Sequence, residues 1–126
     1  CHLGRMGRHR SNICEYPVAS GFSKTRKQDL ADHPTVKPVA LVADAIRDAT
    51  KPGDLVLDPF GGSGTTLIAA ELTKRRAALI EIEPIYADVT LRRFQEHTGL
   101  EPVLLPDRIP LSEVRAERNA NQKDAA

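Results

Sequence analysis

Residues 55–64 limit the possible folds more than any other stretch. Leu55-Val56-Leu57 is a short apolar run, and Asp58-Pro59-Phe60-Gly61-Gly62-Ser63-Gly64 follows it directly. A continuous apolar run bounded by turn residues reads as a strand buried in a parallel sheet. The glycine-rich loop then opens a helix from Thr65 to about Lys74. Leu67, Ile68, Ala69, Ala70 and Leu72 give that helix its apolar character, and Glu71 is a solvent-facing break. Arg75-Arg76 closes it with positive charge, which suits the negative end of a helix dipole. Ala77-Ala78-Leu79-Ile80-Glu81-Ile82 reads as a second buried strand.

The flanking segments extend this pattern. Val39, Val42, Ala43, Ile46 and Ala49 recur at helical spacing and predict a helix over 38–50. Pro38 suits its first turn, where a missing N–H costs nothing. Lys51-Pro52-Gly53-Asp54 stops it. A third helix is expected from Pro84 to about His97, with Val89 and Phe94 inward and Gly99 as its stop. Tyr86 and Phe94 read as core residues, and His33 as structural. Residues 1–32 are polar and broken by Gly4, Gly7, Pro17 and Gly21, so they read as loop with room for a short strand at 12–16. Residues 107–126 leave two outcomes open, a frayed helix or a disordered tail. The order helix, strand, loop, helix, strand, helix is a β-α-β unit. The fold class is α/β and Rossmann-like, with parallel strands and flanking helices.

Composition bounds what this unit can be. A chain of 126 residues suits one small domain, and 40% hydrophobic residues allow a modest core. The net charge of +1 points to no partner. Its distribution is more informative: Arg5, Arg8, Arg10, Lys24, Arg26 and Lys27 face only Glu15 within residues 1–28. Such a patch suits contact with nucleic-acid phosphates or a solvated surface equally. Cys1 and Cys14 make neither a disulfide framework nor a zinc site. No apolar run approaches the roughly 18 residues of a membrane span, and no leader pattern is visible. A cytoplasmic setting without membrane contact is the expectation.

The loop carries the chemistry. In an open parallel sheet, ligands bind at the carboxyl ends of the strands. Gly61, Gly62 and Gly64 let backbone approach a ligand closely. The following helix start offers free N–H groups and partial positive charge. Glu81 follows Gly61 by about 20 residues, the spacing at which an acid can accept hydrogen bonds from both ribose hydroxyls. A nucleoside-containing cofactor is the physical inference. The loop is no P-loop, because no Gly-Lys-Ser/Thr follows, and its G-G-x-G spacing departs from G-x-G-x-x-G. Each residue also has a plainer role open to it. Asp58 can cap a turn, Glu81 can be a surface acid, Lys37 can be solvated and Thr35 can be an N-cap.

Three segments carry a family resemblance. Asp58-Pro59-Phe60-Gly61-Gly62-Ser63-Gly64-Thr65-Thr66 resembles the cofactor-binding signature of the DNA N6-adenine and N4-cytosine amino-methyltransferases. His33-Pro34-Thr35-Val36-Lys37-Pro38 is similar to the segment that precedes that signature, and Glu81-Ile82-Glu83-Pro84-Ile85-Tyr86 to the acidic segment that follows it. The resemblance covers roughly residues 28–98. It implies a partial Rossmann-like methyltransferase fold with S-adenosyl-L-methionine as methyl donor and double-stranded DNA as substrate, in a setting such as restriction–modification. It implies that Asp58, Pro59, Phe60, Gly61, Gly62, Ser63, Gly64 and Thr65 line the donor, that Glu81 holds the ribose, and that Thr35 and Lys37 lie near the carboxylate. It assigns no metal.

The family's catalytic tetrapeptide is Asp, Asn or Ser, then Pro-Pro, then Tyr or Phe. No Pro-Pro occurs among the 126 residues, so no catalytic residue is assigned. One branch of the family is permuted, with the catalytic part first and the cofactor part last. The chain resembles that last part, and the first residue, Cys1, agrees with a C-terminal portion. Cys14 stands where relatives commonly have Trp. The expected organisation is a basic segment over 1–32 that ends a catalytic or target-recognition part, a cofactor-binding region over 33–100, and a polar tail over 101–126. A non-catalytic nucleotide-binding module or split subunit is the alternative. An NAD-dependent oxidoreductase fits the loop and the upstream segment poorly. Two parallel strands leave open sheet edges, which promote aggregation. The isolated chain is therefore expected to be poorly soluble or partly disordered, and a sharp cooperative thermal melt of pure monomer would contradict this.

Overall fold

The computed structural model describes Tyr16 and residues 36–124. Helix α1 (Val39–Ala49) leads to strand β1 (Leu55–Asp58), helix α2 (Thr65–Leu72), strand β2 (Arg76–Leu79) and helix α3 (Pro84–Thr98). A hairpin of β3 (Val103–Leu104) and β4 (Ile109–Pro110) follows, then helix α4 (Leu111–Asp124). Among the described residues, β1 and β2 form a two-stranded parallel sheet in the register Leu55↔Arg76 to Asp58↔Leu79. The β-α-β unit and its three helices thus match the sequence reading. The strand anticipated at 12–16 lies outside the described residues but for Tyr16, whose hydroxyl donates to the Asp44 carboxylate on α1.

The core lies between α1, α2 and one face of the sheet. Ala43 and Ile46 pack with Ala69 and Ala70, and Val39, Val42, Val56 and Ala77 close around them. Small side chains on α2 let the two helices approach closely. Ile68, fully buried, is the one large side chain of α2 with no exposure. Arg75 pins the helix ends together. Its guanidinium donates to the Thr50 carbonyl (2.9 Å) and hydroxyl (3.1 Å) after α1, and to the Thr73 carbonyl after α2. The C-terminal charge read from the sequence is therefore a hydrogen-bonded clamp on carbonyls that the helices leave unpaired.

Three sequence expectations are corrected. Both strands were expected to be buried, yet Leu55 and Leu57 are 57% and 66% exposed. Burial of a strand needs cover on both faces, and the described residues cover only the Val56–Ala77 face. The second strand was expected to run to Ile82 but ends at Leu79. Its partner stops at Asp58 because the next N–H that would face β2, that of Phe60, turns back to Asp58 Oδ1, and the Gly61 N–H takes the Ile80 carbonyl instead. Helix α1 begins just after Pro38 rather than at it, since Pro38 is extended at ψ 128°. Gly99 does stop α3, in the left-handed conformation at φ 72°. Of the two outcomes left open beyond residue 107, a helix forms.

That last helix is anchored from outside. The Ser112 N–H donates to Glu101 Oε1 (3.1 Å), and the Leu111 N–H to the Pro102 carbonyl (2.9 Å). The carboxylate thus satisfies a donor in the first turn that the helix cannot pair itself. Hydrogen bonds from the Ser112 hydroxyl and then its N–H hold the Glu101 carboxyl below the ordinary glutamate value. A lowered folded-state pKa contributes stability above the unfolded value and loses it as pH falls through the folded one. An NMR titration should place the Glu101 midpoint lower in the intact chain than in Ser112→Ala, with the first turn of α4 fraying as it protonates. Equal midpoints would contradict this anchoring.

Candidate cofactor-binding site

The loop between β1 and α2 is held by carboxylates at the ends of both strands. Asp58 Oδ1 accepts the Phe60 N–H at 3.0 Å, forming a tight turn at the strand end. Its other oxygen accepts the Thr66 hydroxyl at 2.6 Å, binding the turn to the first turn of α2. The plainer role for Asp58, organising a turn, is therefore filled. That role is compatible with a ligand role, because a carboxylate offers about four acceptor positions.

Glu81 spans the site. Its Oε2 accepts the Gly62 N–H at 2.6 Å, and its Oε1 accepts the Glu83 N–H at 3.0 Å. The sequence spacing placed this acid opposite the loop, and the structure bonds it to the loop itself. Backbone N–H groups thus bond each oxygen of a carboxylate that offers about four acceptor positions in all.

These side chains surround a cavity of about 270 Å³. Lys37, Asp58, Phe60, Gly61, Gly62, Ser63, Thr65 and Glu81 line it, as do Val42, Thr66 and Tyr86. Phe60 is 86% exposed at its rim. The Thr65 hydroxyl reaches the Lys37 carbonyl at 3.5 Å, bringing the upstream segment against the loop. Pro59 is exposed and Gly64 is buried, and neither is on the cavity wall. Thr35 and the basic residues Arg5, Arg8, Arg10, Lys24, Arg26 and Lys27 lie outside the described residues. Among the described residues no group of acids, His and Cys is arranged for a metal, and no helix is long and apolar enough to cross a membrane.

The donor set fits a nucleoside carrying a cationic centre and a carboxylate. Asp58 and Glu81 supply acceptors for hydroxyls and for positive charge. Gly64 precedes α2 without a side-chain cap, so the first N–H groups of that helix, together with Lys37, suit an anion.

Sequence reasoning missed the rear of the loop. The Thr90 hydroxyl on α3 donates to the Gly62 carbonyl at 2.9 Å, and the buried Arg93 guanidinium donates to the Ser63 carbonyl. Both lie on the inward side of α3 with Val89, a polar pair among positions that periodicity marks as core. Tyr86, read as a core residue, is half-buried at the cavity. Phe94 is only half-buried.

The family model described as DNA methylase, for N6 and N4 enzymes, matches residues 6–92. The chain belongs to this N6/N4 DNA methylase family. The type II methyltransferase M2.MboI of Moraxella bovis is 38% identical over 97 residues, 77% of this chain and 33% of the relative. The chain thus spans about a third of that relative's length. The solved PvuII DNA methyltransferase, cytosine-N4-specific, is 37% identical with a TM-score of 0.50, over 56% of this chain and 25% of that one. The M1.HpyAVI–SAM complex is 44% identical with a TM-score of 0.47, over 48% of this chain and 30% of that one. The family match takes in Lys37, the whole loop, Glu81 and Thr90.

Two glycines of this methylase chain separate strain from contact. Gly53 and Gly64 have φ of +88° and +76°. A Cβ on Gly53 meets nothing within 4 Å, whereas one on Gly64 falls 2.6 Å from Thr90 Cγ2. Gly53→Ala should cost about 1–2 kcal/mol from left-handed strain alone. Gly64→Ala should cost clearly more in urea denaturation, and equal losses would contradict the close packing of α3 on the loop.

Proposed function

We propose that this chain supplies the S-adenosyl-L-methionine site of a DNA adenine-N6 or cytosine-N4 methyltransferase. The observation that carries this reading is the Glu81 carboxylate bonded across the loop to the Gly62 N–H, with Asp58 on the same cavity. When bound, S-adenosyl-L-methionine supplies a methyl group on a sulfonium. Glu81 orients the ribose through its carboxylate, and Asp58 places negative charge near the sulfonium end. Thr35, Lys37 and the N-terminus of α2 receive the carboxylate. Phe60, Gly61, Gly62, Ser63 and Thr65 form the wall along the donor, with Pro59 and Gly64 shaping the loop that carries them.

The target base requires other residues. The Pro-Pro tetrapeptide of the family is absent from the 126 residues, so the amine acceptor and the stacking ring come from a further segment or a second subunit. The exposed Leu55, Leu57 and Ile80, on the sheet face that the described residues leave uncovered, support this division, because apolar surface of that kind marks an interaction site. The basic residues Arg5, Arg8, Arg10, Lys24, Arg26 and Lys27 fit contact with duplex phosphates, which hold a methyltransferase on its substrate while the base is flipped.

Isothermal titration tests the site. The chain should bind S-adenosyl-L-methionine, and Asp58→Ala or Glu81→Ala should weaken binding about tenfold or more, as loss of a charged hydrogen bond predicts. Unchanged affinity in both variants would overturn the assignment. A labelled-methyl assay tests the division of labour. The chain alone should leave DNA unmethylated, and incorporation by it alone would show that the acceptor machinery lies within it.

A further inference from the structure

Helix α3 carries two donors aimed at the back of the glycine loop. Thr90 Oγ1 holds the Gly62 carbonyl at 2.9 Å, and Arg93 holds the Ser63 carbonyl. Arg93 is only 4% exposed, and a buried charge persists only where hydrogen bonds satisfy it. The contact is close, since a Cβ on Gly64 would lie 2.9 Å from the Thr90 hydroxyl.

A trans peptide points its carbonyl and its N–H in opposite directions. Drawing the Gly62 carbonyl toward α3 therefore turns the Ser63 N–H away from it, toward the side where Ser63 lines the cavity. Drawing the Ser63 carbonyl back directs the Gly64 N–H the other way, and it is accepted by the Gly61 carbonyl at 2.9 Å. The two tethers thus decide which loop N–H faces a ligand and which closes the turn.

We propose that Thr90 and Arg93 are positioning residues, which fix the loop so that the Ser63 N–H and the N-terminus of α2 meet the methionine carboxylate of the donor. The proposal rests on the S-adenosyl-L-methionine reading above. It differs from a purely structural role because the loss should depend on which part of the ligand is present.

The test is titration of the full chain with S-adenosyl-L-methionine and with 5′-methylthioadenosine, which lacks the amino-acid carboxylate. Thr90→Val and Arg93→Lys should each weaken S-adenosyl-L-methionine binding about five- to tenfold, the effect of a lost hydrogen bond or contact. Binding of 5′-methylthioadenosine should change by less than about twofold on the same scale. Thr90→Ser, which keeps the hydroxyl, should restore the affinity of the unaltered chain and shows that folding is not at issue. Equal losses for both ligands, or no loss for S-adenosyl-L-methionine in either variant, would overturn the proposal. Failure of the unaltered chain to bind either ligand would overturn the cofactor reading, and the positioning role with it.

Discussion

A glycine loop between a strand and a helix has more backbone polar groups than its own turns can pair, and buried groups of this kind must find partners. Every other feature of the site depends on how that constraint is met. Glu81 takes the Gly62 N–H, Asp58 takes the Phe60 N–H, and α3 supplies donors for the Gly62 and Ser63 carbonyls. The loop is held from the ends of both strands and from behind. Its glycines do not make it loose, because their backbone groups are fixed by partners on three elements.

The same arrangement explains why the parallel pair is required. Parallel strands bring their carboxyl ends to the same edge. Asp58 and Glu81 therefore stand side by side although 23 positions separate their numbers, and the loop closes between them. The ladder ends at that edge because the Phe60 N–H turns back to Asp58, and the Glu81 side chain reaches across to the Gly62 N–H. The small residues Ala69 and Ala70 bring α1 against α2, and with it the segment carrying Lys37.

The sheet face that the described residues leave uncovered is the counterpart of this arrangement. One face of β1 and β2 packs on α1 and α2 through Val56 and Ala77, while Leu57 and Ile80 stand 66% and 60% exposed on the other. The apolar run Leu55-Val56-Leu57 is continuous, the pattern of a strand covered on both sides. Among the described residues the cavity sits at the edge of a parallel sheet of two strands.

Much was legible without coordinates. Pro84 and Gly99 bracket α3, Lys51-Pro52-Gly53-Asp54 ends α1, and the G-G-x-G loop joins β1 to α2, since each signal is local to a few residues. The limits of β2 and the exposure of Leu55 were not legible, because a strand's length depends on its partner and its burial depends on what covers it. Thr90 and Arg93 gave no signal at all. Their contacts join residues 28 and 30 positions apart, and a Thr or Arg on a helix looks alike whether it faces solvent or a carbonyl. The sequence by itself determined the element order and the chemical types in the loop, through backbone preferences and hydrophobic spacing. Only the tertiary structure decided which carbonyl each donor holds and which face of the sheet is bare, because those depend on distances that chain order does not encode.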